Sequence, residues 1–368
     1  MNKICNRCVL PDSYPGIHFD EKGICNYCHG YETQWASHDY GKTEKKLKKI
    51  LKAAKAKNRP YDCIVPLSGG LDSSYTLCLI KQFGLKPLAV NYNNGFQAEV
   101  ARRNIKKITT ALNVDLKVIA PDPSMLKKLY KIFLLSGAEP CTPCELGGTG
   151  AIFREAQRNN VPLVVFGTSE RTEGITPKEI HYFDARYFKD VVKQKIPKAD
   201  INEIFLFPNL VRMFYLQIIK RTRVIQMPYY MPWNEEKIAN HLADRFGWEK
   251  GEDIHADCYF FPIKDHLRYK KWNFGARTQC YSAKIRDGQL KREEALTIIK
   301  RCEGQLNDKK IQPYLEQIGI SKNELESIES KDYRHFKSYL PLLSKLNWIL
   351  QLLSICNLLP ENITKKFK

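Results

Sequence analysis

The chain has 368 residues, 43% hydrophobic and 27% charged, which excludes a disordered segment and leaves room for a full α/β core with appendages. Its 59 Lys and Arg face 40 Asp and Glu, a formal charge of +19 that predicts an anionic partner: nucleic acid, a nucleotide-linked substrate, an acidic protein or a lipid surface. No apolar run has the length of a signal peptide or an uncharged membrane span, so the expectation is a cytoplasmic protein whose twelve cysteines serve as thiols and metal ligands.

The first predicted unit, residues 1–38, is rich in cysteine and lacks regular periodicity. Cys5-x2-Cys8 and Cys25-x2-Cys28 form two knuckles. A two-residue spacer lets both thiolates of a knuckle reach one metal at about 2.3 Å, and two knuckles complete a closed tetrahedral zinc site of structural type. Such a site contributes folding free energy to a segment too small for a core of its own. A helix follows over 43–57, where Leu47, Ile50, Leu51 and Ala54 share one face and lysines occupy the other.

From Tyr61 the pattern alternates. Short apolar runs at Cys63–Leu67, Pro87–Tyr92, Leu116–Ala120 and Pro162–Phe166 predict strands. Helical stretches lie between them near Ser73–Phe83, Ala98–Leu112, Leu126–Leu135 and Thr149–Asn159. The alternation predicts a doubly wound parallel sheet over 43–200, with ligands at the carboxyl ends of the strands. Residues 201–368 read as a mainly helical substrate or partner region. It ends in an apolar stretch, Tyr339–Leu359, that suits either a core helix or a lysine-flanked helix lying on a membrane surface.

The most informative run is Ile64-Val65-Pro66-Leu67-Ser68-Gly69-Gly70-Leu71-Asp72-Ser73-Ser74. A strand empties into Ser-Gly-Gly and a helix begins near Asp72. The glycines allow close backbone approach to a polyphosphate, and the loop N–H groups and positive helix end face the anion. Ser68, Ser73 and Ser74 offer hydroxyl donors, and Asp72 is placed to hold Mg²⁺. The Gly-Lys-Ser/Thr ending of a Walker loop is absent. Farther on, Cys141-x2-Cys144 lies between the third strand and the next helix. Four readings stay open for it: an iron–sulfur cluster completed by a third cysteine such as Cys258 or Cys280, sulfur transfer, an inert turn, or a helix start that shapes the substrate pocket.

The SGGxDSS pattern after an apolar strand closely resembles the PP-loop ATP pyrophosphatases, over about residues 60–175. The resemblance implies cleavage of ATP to AMP and pyrophosphate with adenylation of a substrate oxygen. It points to an ATP site formed by Leu67, Ser68, Gly69, Gly70, Asp72, Ser73, Ser74, Asn91, Gly167 and Thr168, with Glu170 joining Asp72 at Mg²⁺. Asp72, Ser68 and Ser73 are the catalytic candidates. The runs CNRCVLPDSYPGIHFDEKGICNYCHGYE, GLKPLAVNYNNG and IRDGQLKREEAL resemble the N-acetyl sugar amidotransferases of surface-polysaccharide and nonulosonic-acid biosynthesis. That resemblance implies adenylation of a sugar acetamido oxygen and its replacement by ammonia from a separate glutaminase. Cys141, Cys144, Arg277, Arg286 and Arg292 become substrate or phosphate candidates. Ala276 stands where the family pattern leads one to expect an acidic residue. The competing expectation is a tRNA-thiolating enzyme, favoured by the charge and by Cys141 and Cys144. Against it, no stripe of aromatics interleaved with basic residues for single-stranded RNA is evident.

Overall fold

The computed structural model describes residues 3–35, 37–55, 59–177, 185–193, 195–197, 222–251, 253–304 and 308–332. Two short helices, α1 (Asn26–Trp35) and α2 (Tyr40–Lys55), lead into a five-stranded parallel sheet. Its strands are β1 (Cys63–Pro66), β2 (Pro87–Tyr92), β3 (Asp115–Ile119), β4 (Leu163–Phe166) and β5 (Arg223–Gln226), in the order β3-β2-β1-β4-β5. The register is set by pairs such as Val65↔Ala89, Ile64↔Val164 and Val164↔Val224.

Why these residues make a parallel sheet follows from burial. Side chains alternate across a strand, so a strand covered on both faces must be apolar throughout. Cys63 and Val65 enter one core and Ile64 the other; Leu163 and Val165 divide from Val164 in the same way. All six are at most 1% exposed, and burying each aliphatic side chain contributes about 1.5–3 kcal/mol. The first core is roofed by α2, α3 (Leu71–Gln82) and α4 (Glu99–Leu112), joined by α9 (Glu235–Phe246) through Ile238 and Leu242. The second is covered by α6 (Thr142–Arg158) through Ile152, Phe153 and Ala156. The helix α5 (Pro123–Leu135) packs with α8 (Ala185–Val192) in a satellite cluster around Phe133 and Phe188, and α7 (Glu170–Glu173) is a single turn after β4.

Beyond the sheet come α10 (Phe261–Trp272), α11 (Ala276–Arg286), α12 (Arg292–Cys302), α13 (Asp308–Ile318) and α14 (Lys322–Ser330). The N-terminal knuckles sit on this region, since Tyr14, Leu10 and the four cysteines share a cluster with Phe274. Three expectations change. The strand β5 completes one edge although no strand is expected past Thr168. The sixth helix begins at Thr142 and not near 149, so Cys141 is its N-cap and Cys144 lies in its first turn. The strand near 116 forms as expected but is an edge, with Leu116 and Val118 exposed. Among the described residues no helix is long and apolar enough to cross a membrane. The Tyr339–Leu359 stretch and the boundary at residues 200 and 201 lie outside the described residues.

Candidate active site and metal centres

At the carboxyl ends of β1 and β4, where the strand order reverses, a cleft of about 650 Å³ opens. One wall is the loop Ser68-Gly69-Gly70 and the first turn of α3. Gly70 is the N-cap and brings no side-chain cap, so the first-turn amides lack both an intrahelical and a capping partner. Leu71, Asp72 and Ser73 line the cleft there, the arrangement that receives an anion. Gly69 is required by conformation and by space: φ is +88°, and an added Cβ would lie 2.3 Å from the Ala101 carbonyl oxygen.

The loop carbonyls are tied down from outside. Asn91 Nδ2 donates to Leu67 O at 2.8 Å, and Gln97 Nε2 to Ser68 O at 3.2 Å. Gly69 O accepts from Asn104 Nδ2 and Trp248 Nε1, both at 3.2 Å. With the carbonyls held by these partners and the Gly70 N–H donating to Ser68 Oγ at 3.2 Å, the loop is fixed in one conformation at the cleft. Ser73 Oγ bridges the Ser68 N–H and Oγ at 3.2 Å each, closing the loop upon itself.

The carboxylates are crowded. Trp233 Nε1 donates to Asp72 Oδ1 at 2.7 Å, yet burial pushes the Asp72 carboxyl up to about 7. Burial, followed by the charges of Asp72 and Asp257, pushes Glu173 up to about 8. Asp257 reaches the same place from the loop before α10: a Cβ built on Gly70 would lie 3.4 Å from its Oδ2. Half-buried carboxyls brought this close together are what a divalent cation would ionise and hold, so the donor set fits Mg²⁺.

The sequence-predicted residues divide. Ser68, Gly69, Gly70, Asp72, Ser73 and Thr168 line the cleft. Leu67 is buried beneath it, Asn91 is 3% exposed with its amide on Leu67, and Ser74 is fully buried with its hydroxyl turned into the core. Gly167 lies where a Cβ would approach Asp72 O to 2.4 Å, so its role is to let β4 and α3 meet. Glu170 is absent from the lining. One capped turn intervenes, and Glu173, three residues on, is the carboxylate that faces Asp72.

Arg292 is not in the cleft either. It donates to Cys5 O from Nε at 3.2 Å and from Nη2 at 2.9 Å, and to Cys8 O at 3.0 Å. Arg286 Nη1 lies 3.8 Å from Cys8 Sγ. Both arginines hold the cysteine knuckles. Arg277 pairs with Asp253, a lining residue, and with Asp265 at 3.2 Å. The far wall of the cleft comes from Cys280, Tyr281, Lys284, Gln289 and Ile298. No local motif in the sequence marks Trp233, Asp257, Glu173 or Lys284.

The four N-terminal sulfurs form a compact set: Cys5 to Cys28 is 4.0 Å, Cys8 to Cys25 is 3.7 Å, and all lie within 4.8 Å of one another and are buried. Hydrogen bonds from Cys25 and Cys28 hold the Cys5 and Cys8 thiols below their usual value. Four buried thiols converging on one point fit a tetrahedral metal ion.

A family model described as LPS biosynthesis protein WbpG-like, C-terminal domain, matches residues 241–346. The uncharacterized protein MJ1599 of Methanocaldococcus jannaschii is 31% identical over 203 residues, covering 52% of this chain and 71% of that protein. A second protein of that organism, MJ1638, is 28% identical over 105 residues, 28% of this chain and 39% of its own length. Among solved structures, an NMN synthetase from Francisella tularensis aligns over 77% of this chain and 97% of its own, at 13% identity and a TM-score of 0.32. A U34-tRNA thiolase, NcsA, from Methanococcus maripaludis with its [4Fe-4S] cluster aligns over 88% and 99%, at 14% identity and 0.35.

Proposed function

Because the chain carries a WbpG-like C-terminal domain and belongs to one family with the archaeal protein MJ1599, we propose that it is an ATP pyrophosphatase that converts an N-acetylated sugar into its acetamidino form. The observation that carries the reading is the cleft itself. A preorganised phosphate loop forms one wall, and residues of the WbpG-like segment, among them Tyr281, Lys284 and Ile298, form the other.

The chemistry follows from what an amide lacks. Its carbon is a poor electrophile and its oxygen a poor leaving group. In the proposed reaction the acetamido oxygen attacks the α-phosphorus of ATP and pyrophosphate departs, leaving an O-adenylyl imidate. Ammonia then adds to the imidate carbon and AMP leaves. The first-turn amides of α3 and the Ser68 and Ser73 hydroxyls stabilise charge on the departing pyrophosphate. Asp72, with Glu173, would hold Mg²⁺, which supplies charge neutralisation to the phosphates. Trp233 orients the Asp72 carboxylate. The metal assigned to the N-terminal cysteines is zinc, and ammonia comes from a separate glutaminase. The apolar stretch at 339–359 would add a peripheral contact with the inner membrane face.

Charge supports a small substrate over tRNA. Although the chain is at +19, the described lining of the cleft holds eight carboxylates against two lysines and one histidine. Phosphates of a polynucleotide would meet repulsion there, whereas ATP can bring its own cations. The rival reading, tRNA thiolation by the same adenylation, rests on Cys141 and Cys144. Pyrophosphate release assayed with N-acetylated nucleotide sugars and with total tRNA separates the two. Stimulation by sugar and ammonium, with one oxygen exchanged for NH in the product, is expected; stimulation by tRNA alone would replace this reading.

A further inference from the structure

Residues Ile285–Leu296, IRDGQLKREEAL, run from the end of α11 into α12, between the cysteine knuckles and the cleft. Arg286 and Arg292 face the knuckles, while Lys284 and Gln289 line the cleft. Asp287 belongs to neither set. It caps α11, its N–H donating to Ala283 O at 2.9 Å, and its side chain is 6% exposed. A carboxylate taken this far from water must have its lone pairs filled.

Four hydrogen bonds fill them. Arg171 supplies two, from Nε to Oδ1 at 2.7 Å and from Nη2 to Oδ2 at 3.2 Å. The Tyr31 hydroxyl donates to Oδ1, and Gln289 Nε2 donates to Oδ2. Tyr31 comes from α1 and Arg171 from α7, so the aspartate joins stretches of chain that are far apart in sequence. The Arg171 guanidinium also lies 5.4 Å from the centre of the Trp35 ring and 5.3 Å from that of Tyr40, which packs the N-terminal module against the pair.

Two arms leave Asp287, and each ends at a carboxylate assigned to the cation. The first passes through Gln289. Its Nε2 also donates to Trp233 O at 2.9 Å, and its Oε1 accepts the Glu235 N–H at 2.9 Å, which fixes the amide's orientation. Trp233 Nε1 in turn donates to Asp72 Oδ1 at 2.7 Å. The second arm is Arg171 itself, two residues before Glu173 in the single turn α7. The far end of that turn is also held by α11, since Glu173 O accepts from Gln279 Nε2 at 3.1 Å and from the Cys280 thiol at 3.6 Å. Packing there is close: a Cβ on Gly174 would lie 2.9 Å from Gln279 O. Burying an ion pair is a poor route to stability, because apolar side chains of the same volume often serve as well or better. What the charged, directional contacts add is a fixed geometry.

We propose that Asp287 is a positioning residue for the divalent cation of the cleft, setting Asp72 through Gln289 and Trp233 and setting Glu173 through Arg171. Outer partners of this kind orient the ligands without touching the ion. The proposal rests on the reading of Asp72 and Glu173 as cation ligands, and it is independent of which acceptor is adenylated.

The test is Mn²⁺ binding to the full chain with α,β-methylene-ATP present and no acceptor, read as loss of the free-ion electron paramagnetic resonance signal. Asp287→Asn keeps the shape and loses the charge, and it should weaken Mn²⁺ binding about 10–100-fold. Tyr31→Phe and Gln289→Ala each remove one donor and should weaken it by less. Circular dichroism and thermal unfolding show which variants are folded. If Asp287→Asn does not fold, Tyr31→Phe and Gln289→Ala decide the matter. Wild-type Mn²⁺ affinity in folded Asp287→Asn, or in both Tyr31→Phe and Gln289→Ala, would overturn the proposal and leave the pair a purely structural tie. Wild-type protein that binds Mn²⁺ no better than Asp72→Asn would overturn the cation site itself, and this inference with it.

Discussion

Asp72 sits where burial and Trp233 act in opposite senses, burial pushing its carboxyl up and the indole N–H drawing it down, to about 7. Asp72→Asn keeps an acceptor for Trp233 but removes the charge. Pyrophosphate release should fall about 10²–10⁴-fold with thermal unfolding unchanged; full release in that variant would remove Asp72 from the mechanism. Gly69→Ala should cost about 2 kcal/mol or more, read as a lowered denaturation midpoint, since both φ and the Ala101 carbonyl oppose a side chain. Glu249 provides a pH signature. Arg103 and Lys107 depress its carboxyl to about 2, and a depressed folded-state value stabilises above the unfolded-state value. Wild type should therefore unfold at a higher temperature than Glu249→Gln above about pH 5, and the gap should close as pH falls from about 4.5 towards 2. A gap that widened on acidification would contradict the assignment. Glu249 is exposed, so the effect is small.

At the level of the element, Arg292 shows how a residue's task depends on what folds beside it. In sequence it begins an amphipathic helix and is a cation free for phosphate; in the fold it is spent on the Cys5 and Cys8 carbonyls. Arg292→Ala should therefore weaken metal retention by the four N-terminal cysteines and lower the melting temperature, with the Michaelis constant for ATP unchanged; a raised constant at full metal occupancy would return Arg292 to the cleft. Strands β1, β2 and β4 are legible because a strand buried on two faces must be apolar throughout. Strand β5 is not, since its four residues, Arg223–Gln226, have polar ends and are half-buried or exposed except Ile225. The start of α6 is hidden by Pro143 and the Gly147–Gly148 pair, which break the helical pattern in sequence, although in space Gly148 lets the helix lie against the Tyr92 ring. The phosphate loop is readable because its chemistry is local. Trp233, Asp257 and Glu173 are 161, 185 and 101 positions from Asp72, and only the topology brings them to it.

Across the whole molecule, charge and site are separated. Seven lysines of α2, from Lys42 to Lys55, are exposed, while the cleft is acidic. The surplus that suggested a polyanionic partner thus lies largely outside the chamber where adenylation is proposed. Residues of the WbpG-like segment line the wall of that chamber opposite the phosphate loop, where in the proposed reaction nucleotide and acceptor would meet. The most direct measurement is pyrophosphate release from ATP with ammonium present, offering N-acetylated nucleotide sugars and tRNA in separate reactions and weighing the products. The account predicts release that depends on the sugar, with an acetamido oxygen replaced by NH. Release that depends on tRNA, with sulfur entering the nucleotide, would contradict it.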